Sequence, residues 1–151
     1  MRWPDEAACA ATATELAAHP ALRDAFVELH GPLGAGKTTV ARHLLHALGI
    51  TGPIKSPTYA LMEPYQAGAA HGAFGIAHCD FFRFDDAQEW EDAGFREVFA
   101  NPGLKLVEWP EKAAELLPPC DLRIAIAPNE TGSMREVRLE AMTPRGLELL
   151  P

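Results

Sequence analysis

The stretch GPLGAGKTT, Gly31 to Thr39, constrains this chain more than any other. It fits G-x-x-x-x-G-K-[ST] at each fixed position. Glycines so placed let backbone N–H groups turn inward and form an anion nest at a helix N-terminus. Gly34, Ala35, Gly36 and Thr39 belong to that cradle, Lys37 adds a point charge for the β and γ phosphates, and Thr38 offers a hydroxyl to Mg²⁺. Such a loop needs a strand before it and a helix after it. FVELH, Phe26 to His30, reads as the strand. Val40, Leu44, Leu45 and Leu48 recur at helical spacing until Gly49 stops the run. A phosphate held this way can be transferred, given to water or used as a timer. The loop does not choose among them.

The rest of the 151 residues predicts one domain, residues 1–151. Residues 5 to 18 read as a helix, and AGAAHGAFG (67 to 75) as the flexible tip of a hairpin. Gly75 to Cys79 and Leu104 to Val107 are apolar runs that read as buried strands. Asp86 and Glu89 have capping-box spacing at the start of a helix, and EKAAELLP reads as a short helix closed by Pro118 and Pro119. Residues 122 to 127 and 135 to 142 alternate as a terminal hairpin would. The expected fold is α/β: a P-loop NTPase-like, mainly parallel sheet flanked by helices, with antiparallel hairpin additions.

Charge narrows the partners. The net charge is -8, whereas a protein that grips nucleic acid unaided carries a basic excess. Any nucleic-acid role therefore requires a partner that supplies positive surface. No run of 18 apolar residues exists and the acidic N-terminus lacks a signal-peptide core, so the reading is cytoplasmic with no membrane partner. Cys9, Cys79 and Cys120 form no framework, which fits a reducing compartment. Cys79, between His78 and Asp80, reads as a small apolar residue at the end of a strand rather than a catalytic thiol. His43 and His46, three apart on a helix, lack further soft ligands for a metal.

Mg²⁺ takes hard oxygen ligands, and an open α/β sheet supplies them from the carboxyl ends of its strands. Asp80 follows IAHC and Glu108 follows LKLV. One carboxylate would hold Mg²⁺ directly or through water, and the other would orient an attacking water. With Lys37 these form the candidate catalytic set. Thr58, in SPT, stands where many phosphate-loop switches place a threonine that senses the metal; a plain Ser-Pro turn explains it equally well. No Asn-Lys-x-Asp segment follows a strand, which favours ATP over GTP.

GPLGAGKTT, KSPTY, HCDFFR and VEWPE, in this order and spacing, resemble the TsaE (YjeE) family of small bacterial ATPases required for N6-threonylcarbamoyladenosine in tRNA. The resemblance runs from about residue 4 to the final hairpin. It implies that Gly34 to Thr39 bind the phosphates of ATP or ADP, with Thr38 and Glu108 on Mg²⁺. It places Ser56 and Thr58 on a switch segment, Asp80 and Arg83 on a second motif, and Trp109 near the nucleotide. Glu111 and Arg135 would complete the pocket. It also implies action on a TsaB–TsaD complex that itself holds the tRNA, which reconciles an acidic chain with a tRNA pathway. Slow hydrolysis alone and faster turnover once docked are expected. Phe81 to Phe84 and Trp90, if exposed, are candidate docking anchors, and a place in the core explains these aromatics at least as well.

The chain departs from the family pattern at three places. Phe82 replaces a tyrosine, Cys9 stands where a threonine usually contacts the nucleotide, so that contact would be weaker or made by backbone, and the glycine-rich insert is atypical. Two other classes compete with the ATPase. A small-molecule kinase would need arginines gathered over the transferred phosphate, but Arg83, Arg96 and Arg123 are dispersed. A module that only binds ATP would need no second carboxylate.

Overall fold

The computed structural model describes all of residues 1–151. Strand β2 (Phe26–His30) lies in the middle of the sheet, and its first four residues are buried. A strand covered on both faces reads as a nearly continuous apolar run, which FVELH is apart from Glu28 and the terminal His30. On one side β2 pairs in parallel with β5 (Leu104–Glu108), which pairs in parallel with β4 (Gly75–Asp80). On the other side it pairs in parallel with β6 (Leu122–Pro128).

Antiparallel strands close both edges: β3 (Met62–Gln66) beyond β4, and β7 (Arg135–Ala141) then β1 (Arg2–Trp3) beyond β6. The seven-stranded order is β1-β7-β6-β2-β5-β4-β3. The expected mainly parallel α/β sheet with antiparallel additions is what forms.

Helices α1 (Glu6–Ala17) and α2 (Lys37–Ala47) contribute to the larger core, with Leu16, Leu44, Leu45, Val27 and Leu106 among its buried side chains. Alternation along each strand sends Val107 and Cys79 into a second cluster with Phe81, Trp90 and Phe95. That cluster includes residues of α3 (Ala87–Asp92) and α4 (Phe95–Ala100). The register sets Leu29 against Glu108 and Glu108 against Asp80, so β2, β5 and β4 deliver the phosphate loop and both carboxylates to one edge of the sheet.

Several elements differ from expectation. EKAAELLP gives a 3-10 turn at Pro110–Ala113 rather than an α-helix, because paired prolines leave too few residues to repay helix nucleation. The 67 to 75 segment does join a hairpin, but it is docked: Ala67 and Phe74 are buried, and Gly68 N–H donates to Leu48 O at 2.8 Å. Asp86 caps α3 by accepting from Gln88 N–H and Glu89 N–H. Two further elements, β1 and α5 (Pro144–Glu148), are too short to show a period in sequence.

Candidate functional site

The phosphate loop begins where β2 ends. Gly31 has φ +154°, and a Cβ there would stand 2.4 Å from Ile126 O, so only glycine lets the chain pass β6. Gly36, at φ +111°, opens α2 in a left-handed conformation with no side-chain cap. The first turn of α2 is therefore left to an anion. Lys37 is buried beneath the loop. Its Nζ donates to Gly31 O (2.5 Å) and Pro32 O (3.0 Å) and lies 3.9 Å from the Trp109 ring centroid. Burial pulls its pKa below the ordinary lysine value, opposed by Glu108, Glu111 and Asp80. Trp109 leaves β5 at φ +56° and also contacts Phe82, with ring centroids 5.0 Å apart.

Both carboxylates are buried, at 2 % exposure for Glu108 and 3 % for Asp80. Burial at that depth demands hydrogen bonds. Glu108 Oε1 accepts from Thr38 Oγ1 at 2.7 Å, and Oε2 pairs with His78 Nε2 at 2.7 Å and accepts from Ser56 Oγ at 3.3 Å. Asp80 Oδ1 accepts from Phe82 N–H at 2.9 Å, while Oδ2 accepts from Thr58 Oγ1 at 3.2 Å and from Ser56 Oγ.

Lys37, Thr38, Thr58, Asp80 and Glu108 thus form one polar cluster with Ser56 linking the two acids. No group of three or more His, Cys, Asp and Glu side chains forms a closed metal cage. Hydroxyl and carboxylate oxygens beside a phosphate loop instead fit Mg²⁺, which keeps waters and borrows ligands from phosphates.

Beside the loop opens a cleft of about 230 Å³, lined among others by Trp3, Cys9, Gly36, Thr39 and Arg135. Arg135 Nε donates to Ala35 O at 2.9 Å and ties β7 to the loop. Burial raises the Cys9 thiol to about 11, so it enters the cleft uncharged at neutral pH. A larger groove of about 560 Å³ borders Arg2, Ala127 and Arg138, and neither opening is lined by Asp80 or Glu108. Glu111 does not line the cleft. Its half-exposed carboxylate faces His30 Nδ1 at 3.8 Å, and His30 in turn meets Glu28 at 2.9 Å.

A family model described as threonylcarbamoyl adenosine biosynthesis protein TsaE matches residues 3–137. This chain belongs to the TsaE family. Haemophilus influenzae tRNA threonylcarbamoyladenosine biosynthesis protein TsaE is 37 % identical over 125 residues, covering 83 % of this chain and 75 % of that protein. The Bacillus subtilis protein of the same name is 37 % identical over 130 residues, covering 83 % and 77 %. The crystal structure of Bacillus subtilis YdiB superposes with a TM-score of 0.78 at 28 % identity, covering 99 % of this chain and 88 % of that one.

The residues read in the sequence as departures from the family pattern, and those suggested for docking or metal binding, have plain surroundings. Phe82 is 37 % exposed and packs its ring on Trp109, a contact that uses no hydroxyl. Of the suggested docking aromatics, Phe81 and Trp90 are instead core. Trp90 stacks on Phe99 at 5.5 Å and 11°, and Phe81 meets Phe95 edge-on. Phe84 is partly buried against them. Exposed Arg83 places its guanidinium over the ring of Tyr59, 4.6 Å from the centroid. Cys79 is fully buried and its thiol is pushed up by burial, as a packing residue's would be. His43 pairs with Glu6 and His46 with Gly52 O, so they share no ligand.

The residue that sequence reasoning missed is His78. It was legible as the second residue before Asp80, hence on the same face of β4, but its partner lies 30 residues away on β5.

Proposed function

We propose that this chain is a Mg²⁺-dependent ATPase of tRNA threonylcarbamoyladenosine modification, acting in the cytoplasm on a TsaB–TsaD complex that holds the tRNA. The observation that carries the reading is the convergence of Thr38, Ser56 and Thr58 hydroxyls on Asp80 and Glu108 beside the phosphate loop. The names of the relatives supply the pathway.

ATP lies with its phosphates in the nest from Gly34 to Thr39 and its nucleoside in the cleft lined by Cys9, Thr39 and Arg135. Lys37 exchanges the carbonyls of Gly31 and Pro32 for β- and γ-phosphate oxygens. Thr38 and Glu108, already hydrogen-bonded to each other, are the side chains that would hold Mg²⁺. When bound, the metal neutralises charge on the phosphate oxygens. Asp80, fixed from both oxygens by Phe82 N–H, Ser56 and Thr58, orients the attacking water and accepts its proton. Ser56 and Thr58 belong to the segment between α2 and β3, so loss of the γ-phosphate is felt there first.

The test measures phosphate release from ATP by the protein alone, then with TsaB–TsaD and tRNA. Release that rises with the partners supports the reading. Labelled phosphate arriving on a small acceptor would replace it with a kinase.

A further inference from the structure

His78 is the one buried polar side chain in the molecule with an atom left unpartnered. Its residue is fully buried, Nε2 lies 2.7 Å from Glu108 Oε2, and Nδ1 has no hydrogen-bond partner. A leucine would fill such a position between Ile76 and the neighbouring Leu106 without any desolvation penalty. The imidazole has one polar contact to offset that penalty, and the contact is with Glu108. We propose that His78 is a positioning residue that holds Glu108 in its metal-binding orientation.

The geometry explains how. Glu108 Oε1 faces Thr38 Oγ1, so the metal must lie on that side if both are to reach it. The other oxygen must then be held back. Ser56 reaches Oε2 at 3.3 Å but also donates to Asp80, so its hold on Glu108 is divided. His78 Nε2 has no other partner, so a proton on Nε2 would be donated to Oε2, while Nδ1 has no hydrogen-bond partner. β4 and β5 are register-locked here, with His78 opposite Leu106 and Asp80 opposite Glu108. The donor consequently cannot drift along the strand. Removing an outer partner of this type typically costs about 10–100-fold in metal affinity.

The inference rests on the Mg²⁺–ATP reading, and the experiment separates the two. Calorimetry measures ATP affinity with and without Mg²⁺ for wild type, His78→Leu and His78→Gln. A glutamine amide reaches about as far as imidazole Nε2 and still donates. The expected result is a Mg²⁺-dependent gain in wild type, about 10–100-fold less Mg²⁺ affinity in His78→Leu, and recovery in His78→Gln. Mg²⁺-free affinity should be equal in all three.

If wild type shows no Mg²⁺ dependence, the functional reading fails. If wild type shows it and His78→Leu matches wild type, or His78→Gln is impaired as much as His78→Leu, only the positioning role is overturned. Should His78→Leu not fold, ¹⁵N spectra of the wild-type imidazole decide: a proton on Nε2 supports the role, and a bare Nε2 overturns it.

Discussion

The two ends of the candidate nucleotide site are built differently. At the phosphate end, Thr38, Ser56, Thr58, His78, Asp80 and Glu108 come from α2, the segment after it, β4 and β5, and hold one another by side-chain hydrogen bonds. At the end proposed for the nucleoside, the cleft is lined among others by an uncharged thiol, Asp5, Glu6 and an arginine whose Nε is bonded to the loop backbone. One end is over-determined, because several elements must agree before a metal and water can be placed. The other only has to leave room. Chemistry demands the first, and binding is satisfied by the second.

The sharpest way to break this contrast is Asp80→Asn. It keeps an acceptor for Phe82 N–H but loses the proton acceptor. Single-turnover phosphate release in the presence of the partners should fall about 10²–10⁴-fold, with ATP affinity nearly unchanged. Lys37→Ala should impair binding as well as turnover, weakening ATP affinity about 100-fold in calorimetry, since hydrogen bonds to a charged group contribute about 3 kcal/mol at most.

Glu28 tests the strand under the loop. Burial alone would raise its carboxyl, but hydrogen bonding to His30, with help from Cys120 and Arg123, outweighs burial and holds the pKa below the ordinary value. A carboxyl depressed in the folded state adds stability above its unfolded pKa and loses it as pH falls through the folded one. Resistance to denaturant should therefore fall below about pH 4.3, and Glu28→Gln should flatten part of that acid limb. The smallest effect belongs to the nucleoside end. Cys9→Ala should change ATP affinity by less than about twofold, because the residue gives space rather than charge.

What could be read beforehand divides along the same line. The phosphate loop is a contiguous signal, and each acid follows an apolar run, so the gathering of Lys37, Thr38, Asp80 and Glu108 at one edge of the sheet was visible beforehand. Glu111 follows the left-handed step at Trp109, and its carboxylate faces His30, a pairing across elements that no local pattern encodes. The docking of the 67–75 tip depends on Gly68 reaching Leu48, a contact no local pattern encodes. Whether Phe81 and Trp90 were docking anchors or core was open in the sequence, and strand alternation and helix phase bury them. His78 escaped for a related reason: pairing between parallel strands is decided by register.

The Lys37–Trp109 contact makes the molecule its own optical probe. Of the three tryptophans, Trp3 and Trp90 are buried, whereas Trp109 is partly exposed and carries an ammonium against its ring. When phosphate oxygens claim that ammonium, the indole loses its cation and its emission changes. Intrinsic fluorescence thus reports loop occupancy without a label, and iodide, which reaches only an accessible indole, assigns the signal to Trp109.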